Sequence, residues 1–144
     1  MKFGVVPLRD LTRINKTITF TGAAGAGAVG SVALWTVTGE VLIAIIAGRC
    51  TSSLVSAGGG DVALGVTGAT TLFIGATTAT GITTTANIWA STTPNAQGIA
   101  APAALKDIII DSNVIITVGT GDVTGGVIDF AAYYLPLSPG SGIS

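Results

Sequence analysis

The sequence predicts an all-β chain, an antiparallel β-sandwich of jelly-roll-like type in a single domain with an extended N-terminal arm. Three observations predict it. Apolar and small polar residues alternate with period two along most of the chain. Val, Ile and Thr, whose branched Cβ suits a pleated strand, fill the alternating runs. Gly, Pro, Asn and Asp clusters punctuate those runs at short, regular intervals, and no run has helical period. A length of 144 residues suits one domain.

The elements follow in order. Ile18 and Phe20 alternate with Thr17, Thr19 and Thr21. A low-complexity loop, Gly22 to Gly30, leads to a strand carrying Val32, Leu34, Trp35 and Val37. Glu40 to Ile46 is apolar on both faces, which predicts a strand central to a two-layer core. Gly58-Gly59-Gly60-Asp61 is a turn, and Val62, Leu64 and Val66 alternate after it. Thr70 to Ile74 is the next strand, and the Thr-rich stretch Thr77 to Ser91 has strand-forming composition. Pro94 to Gly98 and Pro102 break the pattern. Ala103 opens a short helical turn before Ile108-Ile109-Ile110, a strand. Asp111-Ser112-Asn113 is a turn, Val114, Ile116 and Val118 alternate, and Gly119 to Gly126 reads as a hairpin connection. Val127 to Leu135 is the last long strand, ended by Pro136, Pro139 and Gly140. The expected organisation is a basic arm over 1–16, a sandwich over 17–138 and a flexible tail over 139–144.

Composition excludes several chemistries. There is no histidine, hence no imidazole base, triad or metal ligand. The single cysteine, Cys50, makes no internal disulfide or thiolate cluster and reads as a small buried hydrophobe. The longest strongly apolar run, Val41 to Gly48, is far shorter than the roughly 20 residues of a membrane helix. No acid–base pair or partnered nucleophile is visible, so the chain is expected to be no enzyme, without cofactor or metal, and with no membrane or nucleic-acid partner.

Charge is sparse and unevenly placed. Asp, Glu, Lys and Arg make up 9% of the chain while apolar residues make up 49%; on a folded monomer that is roughly one charge per 500 Å². A lone molecule so constituted is poorly soluble, which predicts packing against copies of itself or other proteins. Lys2, Arg9, Arg13 and Lys16 face only Asp10 in residues 1–16, giving +3, whereas residues 17–144 carry Arg49 and Lys106 against six acids, giving −4. The arm is either a solvated terminus or a segment that orders on an acidic partner surface; Phe3, Val5, Val6, Leu8, Leu11 and Ile14 make it more apolar than disordered tails are.

Three motifs have spacings that bear on chemistry. Gly25-Ala26-Gly27-Ala28-Val29-Gly30 has the G-x-G-x-x-G spacing of a dinucleotide loop, but the residues after it alternate like a strand and no acid follows about 20 residues on. A glycine-rich structural loop is the better reading. Asp107 and Asp111 flank one short strand about 13 Å apart, too far to share a proton or a metal ion, and read as turn acids. Tyr133 and Tyr134 must face opposite sides of their strand, so one is core and the other a contact candidate.

A resemblance follows from the longer words of the sequence. Ala104 to Ile110, Asn113 to Gly119, Asp122 to Phe130 and Tyr133-Tyr134-Leu135-Pro136-Leu137, together with Gly59 to Thr70, resemble small virion proteins of tailed bacteriophages over roughly residues 17–138. The resemblance implies a capsid cement or decoration protein of the virion, assembled in the host cytoplasm. It implies the major capsid protein and copies of itself as partners, with a trimer as the first expectation. Partner-interface candidates are Phe3, Arg9, Arg13, Lys16, Trp89, Tyr133, Tyr134 and Leu135. Another virion station, in tail or neck, and a glycan-binding sandwich are the alternatives.

Overall fold

A computed structural model describes residues 10–144. The chain is all-β and antiparallel. Among the described residues, helical structure is confined to short 3-10 turns such as Ala79–Gly81 and Ala103–Leu105. Eight strands build two sheets: β1 (Thr12–Thr19), β2 (Gly30–Trp35), β4 (Val41–Val55), β5 (Asp61–Val66), β6 (Ala69–Thr78), β8 (Ile108–Ile110), β9 (Val114–Gly119) and β10 (Gly125–Pro136). Three two-residue strands, β3 (Val37–Thr38), β7 (Ile88–Trp89) and β11 (Gly142–Ile143), complete the set. The first sheet runs β1-β10-β4, with β8 and β7 both pairing the far side of β4; the second runs β2-β9-β5-β6.

This order is that of a jelly roll. The two-residue turn Thr67-Gly68 closes the β5–β6 hairpin. Behind it the chain pairs with itself as one long ribbon, β4 with β8, β2 with β9 and β1 with β10. Successive rungs fall in alternate sheets, and the β10–β4 and β9–β5 pairings knit each sheet together. Both sheets turn one face inward. Ile18, Ile43, Ile46, Cys50, Ile128, Phe130 and Ala132 of the first meet Val32, Leu34, Val62, Leu64, Ile74, Val114, Ile116 and Val118 of the second in one buried cluster.

Several sequence expectations change. The first strand begins at Thr12, so Arg13 and Lys16 belong to the sheet rather than to an arm. Lys16 faces inward at this edge and donates to the Ala33 carbonyl of the opposite sheet, 3.4 Å away, an inward charge that blunts an otherwise open edge. The 139–144 segment is tied down: Thr36 and Ser144 exchange two backbone hydrogen bonds of 2.8 and 2.9 Å, and Ile143 is buried. Gly119 to Gly126 is no hairpin, because β9 and β10 lie in different sheets and this loop carries the chain between them. The Thr-rich stretch leaves the strand at Thr78 and yields only β7 before the loop at Pro94.

The glycine cluster acts as a clasp. The stretch after it is strand β2, and Gly27 (φ +123°) lies so close to the Val123 carbonyl that a side chain has no room. Val123 in turn donates to the Gly27 carbonyl at 2.7 Å. These glycines let two loops interlock, and no helix N-terminus is present to receive a phosphate.

Candidate interaction face

The outward face of the first sheet carries the residues that distinguish this chain. Its geometry begins with a bulge. Tyr133 pairs Ile45 but Tyr134 pairs Ile43, so β4 holds one extra residue, Ala44, at that point. Inward parity shifts from Val41 and Ile43 to Ile46, Gly48 and Cys50, and Ile45 is turned outward with Ala47 and Arg49. Apolar side chains therefore appear on the solvent side of a strand whose other side is core.

Reading across the strands, the face falls into rows. Ile109, Leu42 and Leu135 form the first. Ile45, Tyr133 and Arg13 form the second, and Ala47, Ala131 and Asn15 the third. Arg49, Asp129 and Thr17 form the fourth. Ile109 is 64% exposed and is flanked by Asp107 and Asp111 at the two ends of β8. The small third-row alanines leave a depression of about 900 Å³, walled by Arg13, Asn15 and Lys16 on one side and by Arg49, Asn87, Ile88 and Gln97 on the other. Arg13 Nε donates to Asn15 Oδ1 at 3.0 Å, and Thr17 Oγ1 donates to Asp129 Oδ1 at 2.6 Å. Arg13 and Arg49 thus bring their charges to one groove beside a single acid, Asp129, while the Lys16 side chain is turned toward the opposite sheet; the groove carries an excess of positive charge on a chain of net charge −1.

The predicted contact residues distribute as follows. Phe3 and Arg9 lie outside the described residues. Arg13 and Lys16 line the groove. Tyr133 is 39% exposed on the outer face while Tyr134 is buried, with its hydroxyl 3.4 Å from the Ile143 carbonyl it donates to. Leu135 is half-buried in the first row. Trp89 is corrected from contact candidate to core. It is fully buried, meets Phe130 edge-on at 6.1 Å, and its indole N–H donates to Thr77 Oγ1 at 3.0 Å. A buried ring whose one polar atom is satisfied has nothing left to offer a partner. Sequence reasoning missed Arg49, Ile45, Asn87 and Gln97. Arg49 is a lone charge in a run otherwise read as core, and the bulge that exposes Ile45 has no marker in the residues around it.

The remaining polar residues serve the fold. Asp122 Oδ1 accepts from the Val29 N–H at 2.8 Å, and Asp61 accepts from Thr120 Oγ1 at 2.7 Å. Cys50 is buried, and burial pushes its thiol above the ordinary value against smaller opposing effects of the Ser52 and Leu54 backbone. Among the described residues, no cluster of three or more His, Cys, Asp or Glu side chains gathers to hold a metal ion. No helix there is long and apolar enough to cross a membrane.

Comparison with protein-family models, with curated proteins and with solved structures gave no match.

Proposed function

We propose that the chain is a non-enzymatic structural component of a virion, a cement or decoration protein of the head that works as an oligomer on the major capsid protein. One observation carries the reading: Ile45, Ile109 and Tyr133 stand exposed beside Leu42 and Leu135 on a sheet face that nothing among the described residues covers. Strands read from sequence as apolar on both sides normally lie between two layers. Here the second layer is left for another polypeptide. Sparse ionic charge supports the same conclusion, with about one charged side chain per 550 Å² of a 7147 Å² surface. A protein that reinforces a shell needs contact area and no chemistry, and obligate contacts are large and apolar. The jelly roll is a fold that capsid proteins use, among other classes. The glycan-binding alternative loses its main support with Trp89 in the core, since Tyr133 alone remains as a stacking surface.

Mass spectrometry of gradient-purified particles from cells that produce the chain tests this reading. The chain is expected as a stoichiometric component, and density for it is expected on the head in reconstructions. Particles that lack it overturn the proposal.

A further inference from the structure

The two ends of the first sheet's outer face match each other in charge, shape and spacing. At one end, β8 presents Ile109 between Asp107 and Asp111, all three exposed. At the other, the groove presents a small-residue floor, Ala47 and Ala131, between Arg13 on β1 and Arg49 on β4. The acids flank the three-residue strand β8, four residues apart, with Asp107 at a positive φ of 57°, and the extended residues between them hold their Cα atoms about 13 Å apart. The arginines are two strands and four residues apart, which places their Cα atoms about 17 Å from one another, a gap that two long side chains reaching inward reduce to the spacing of the acids.

Resting on the self-association in the reading above, we propose that β8 of one copy docks in the groove of a second copy of this chain. Ile109 seats on Ala47 and Ala131, and the Asp107 and Asp111 carboxylates meet the Arg13 and Arg49 guanidiniums. Asp107 and Asp111 flank the exposed Ile109 and so join charge to an apolar knob; Asp111 Oδ1 also accepts from Ser112 Oγ at 3.1 Å, as Asp61, Asp122 and Asp129 accept from Thr120, Val29 and Thr17. Guanidinium pairs carboxylate in a two-point fork, which fixes register as well as attraction. Isoleucine between the charged pairs supplies the desolvated centre that strong contacts need. Knob and groove are different patches of one face, so a twofold axis seats both contacts at once and closes a dimer, whereas a head-to-tail arrangement of the same contact closes a ring.

Charge exchange tests the pairing on the full chain, with light scattering as the readout and circular dichroism as the check on folding. All four charged positions are exposed, so the fold is expected to tolerate their reversal. Arg13→Glu with Arg49→Glu, and separately Asp107→Lys with Asp111→Lys, are each expected to weaken association at least tenfold. The chain carrying all four substitutions is expected to recover it, because both faces are inverted together. Ile109→Ser is expected to weaken association without lowering the melting temperature, and it stands in for any charge variant that does not fold. Double variants that associate like the parent, or a fourfold variant no better than the doubles, overturn the pairing even if the chain is found in particles. A parent chain that stays monomeric overturns it as well.

Discussion

Close backbone approaches set the cost of single substitutions in this molecule. At Gly126 (φ +108°), a Cβ would stand 2.6 Å from Leu54 Cα and 2.8 Å from the Ser53 carbonyl oxygen, both on the backbone of β4. Gly126→Ala therefore adds an unfavourable φ to a clash that only movement of a central strand relieves, and is expected to destabilise by about 3 kcal/mol. Gly25 (φ +74°) has nothing within 4 Å of such an atom, so Gly25→Ala is expected to cost only about 1 kcal/mol. Chemical denaturation of the two variants side by side checks the contrast. Cys50 gives a pH signature. Its folded thiol holds its proton to higher pH than the unfolded one, because burial disfavours the thiolate. Its contribution is complete below the ordinary thiol value near pH 8.5, and declines as the unfolded chain ionises first above it. The parent is expected to lose more stability between pH 7 and 10 than Cys50→Ala, as read by urea unfolding at each pH. Equal losses would show that the thiol plays no part.

At the scale of elements, β1 is the strand with most at stake. It pairs β10 residue for residue from Thr12 to Thr19 and adds half-buried Ile14 to the core edge. An arm over residues 1–16, as the sequence suggests, could be removed with the sandwich left intact. With five residues of β1 inside that segment, the truncation is now expected to lower the melting temperature by several degrees and to bare the β10 edge. Calorimetry and turbidity of the truncated chain check this, and an unchanged melting temperature would show that β1 contributes little. The strands themselves were legible because their inward residues repeat every second position, as Val62, Leu64 and Val66 and then Val114, Ile116 and Val118 do. Pairing was not legible. Glycines at 119–126 announce a change of direction but not the sheet the chain enters next. Threonine composition misled beyond Thr78, because Thr hydroxyls there bond locally: Thr83 Oγ1 lies 3.1 Å from Thr85 Oγ1 and accepts from the Ala86 N–H. The groove stayed hidden for the same reason as the pairing. Arg13 and Arg49 share it only through β10, which lies about 80 residues beyond Arg49 in the chain.

For the molecule as a whole, what matters is where charge is missing. A jelly roll closes its core internally, so the inward faces of both sheets are satisfied by each other. The outward face of the first sheet is not, and it carries an apolar strip running into a basic groove. Salt is expected to separate the two parts, weakening the guanidinium–carboxylate contacts while leaving apolar burial in place. The decisive quantity is the mass of the undisturbed chain in solution, read by light scattering across a range of concentrations in moderate salt. A mass that is a fixed multiple of 14.1 kDa is the predicted result. A monodisperse 14.1 kDa species, soluble at every concentration, would contradict the view that other polypeptides cover this surface.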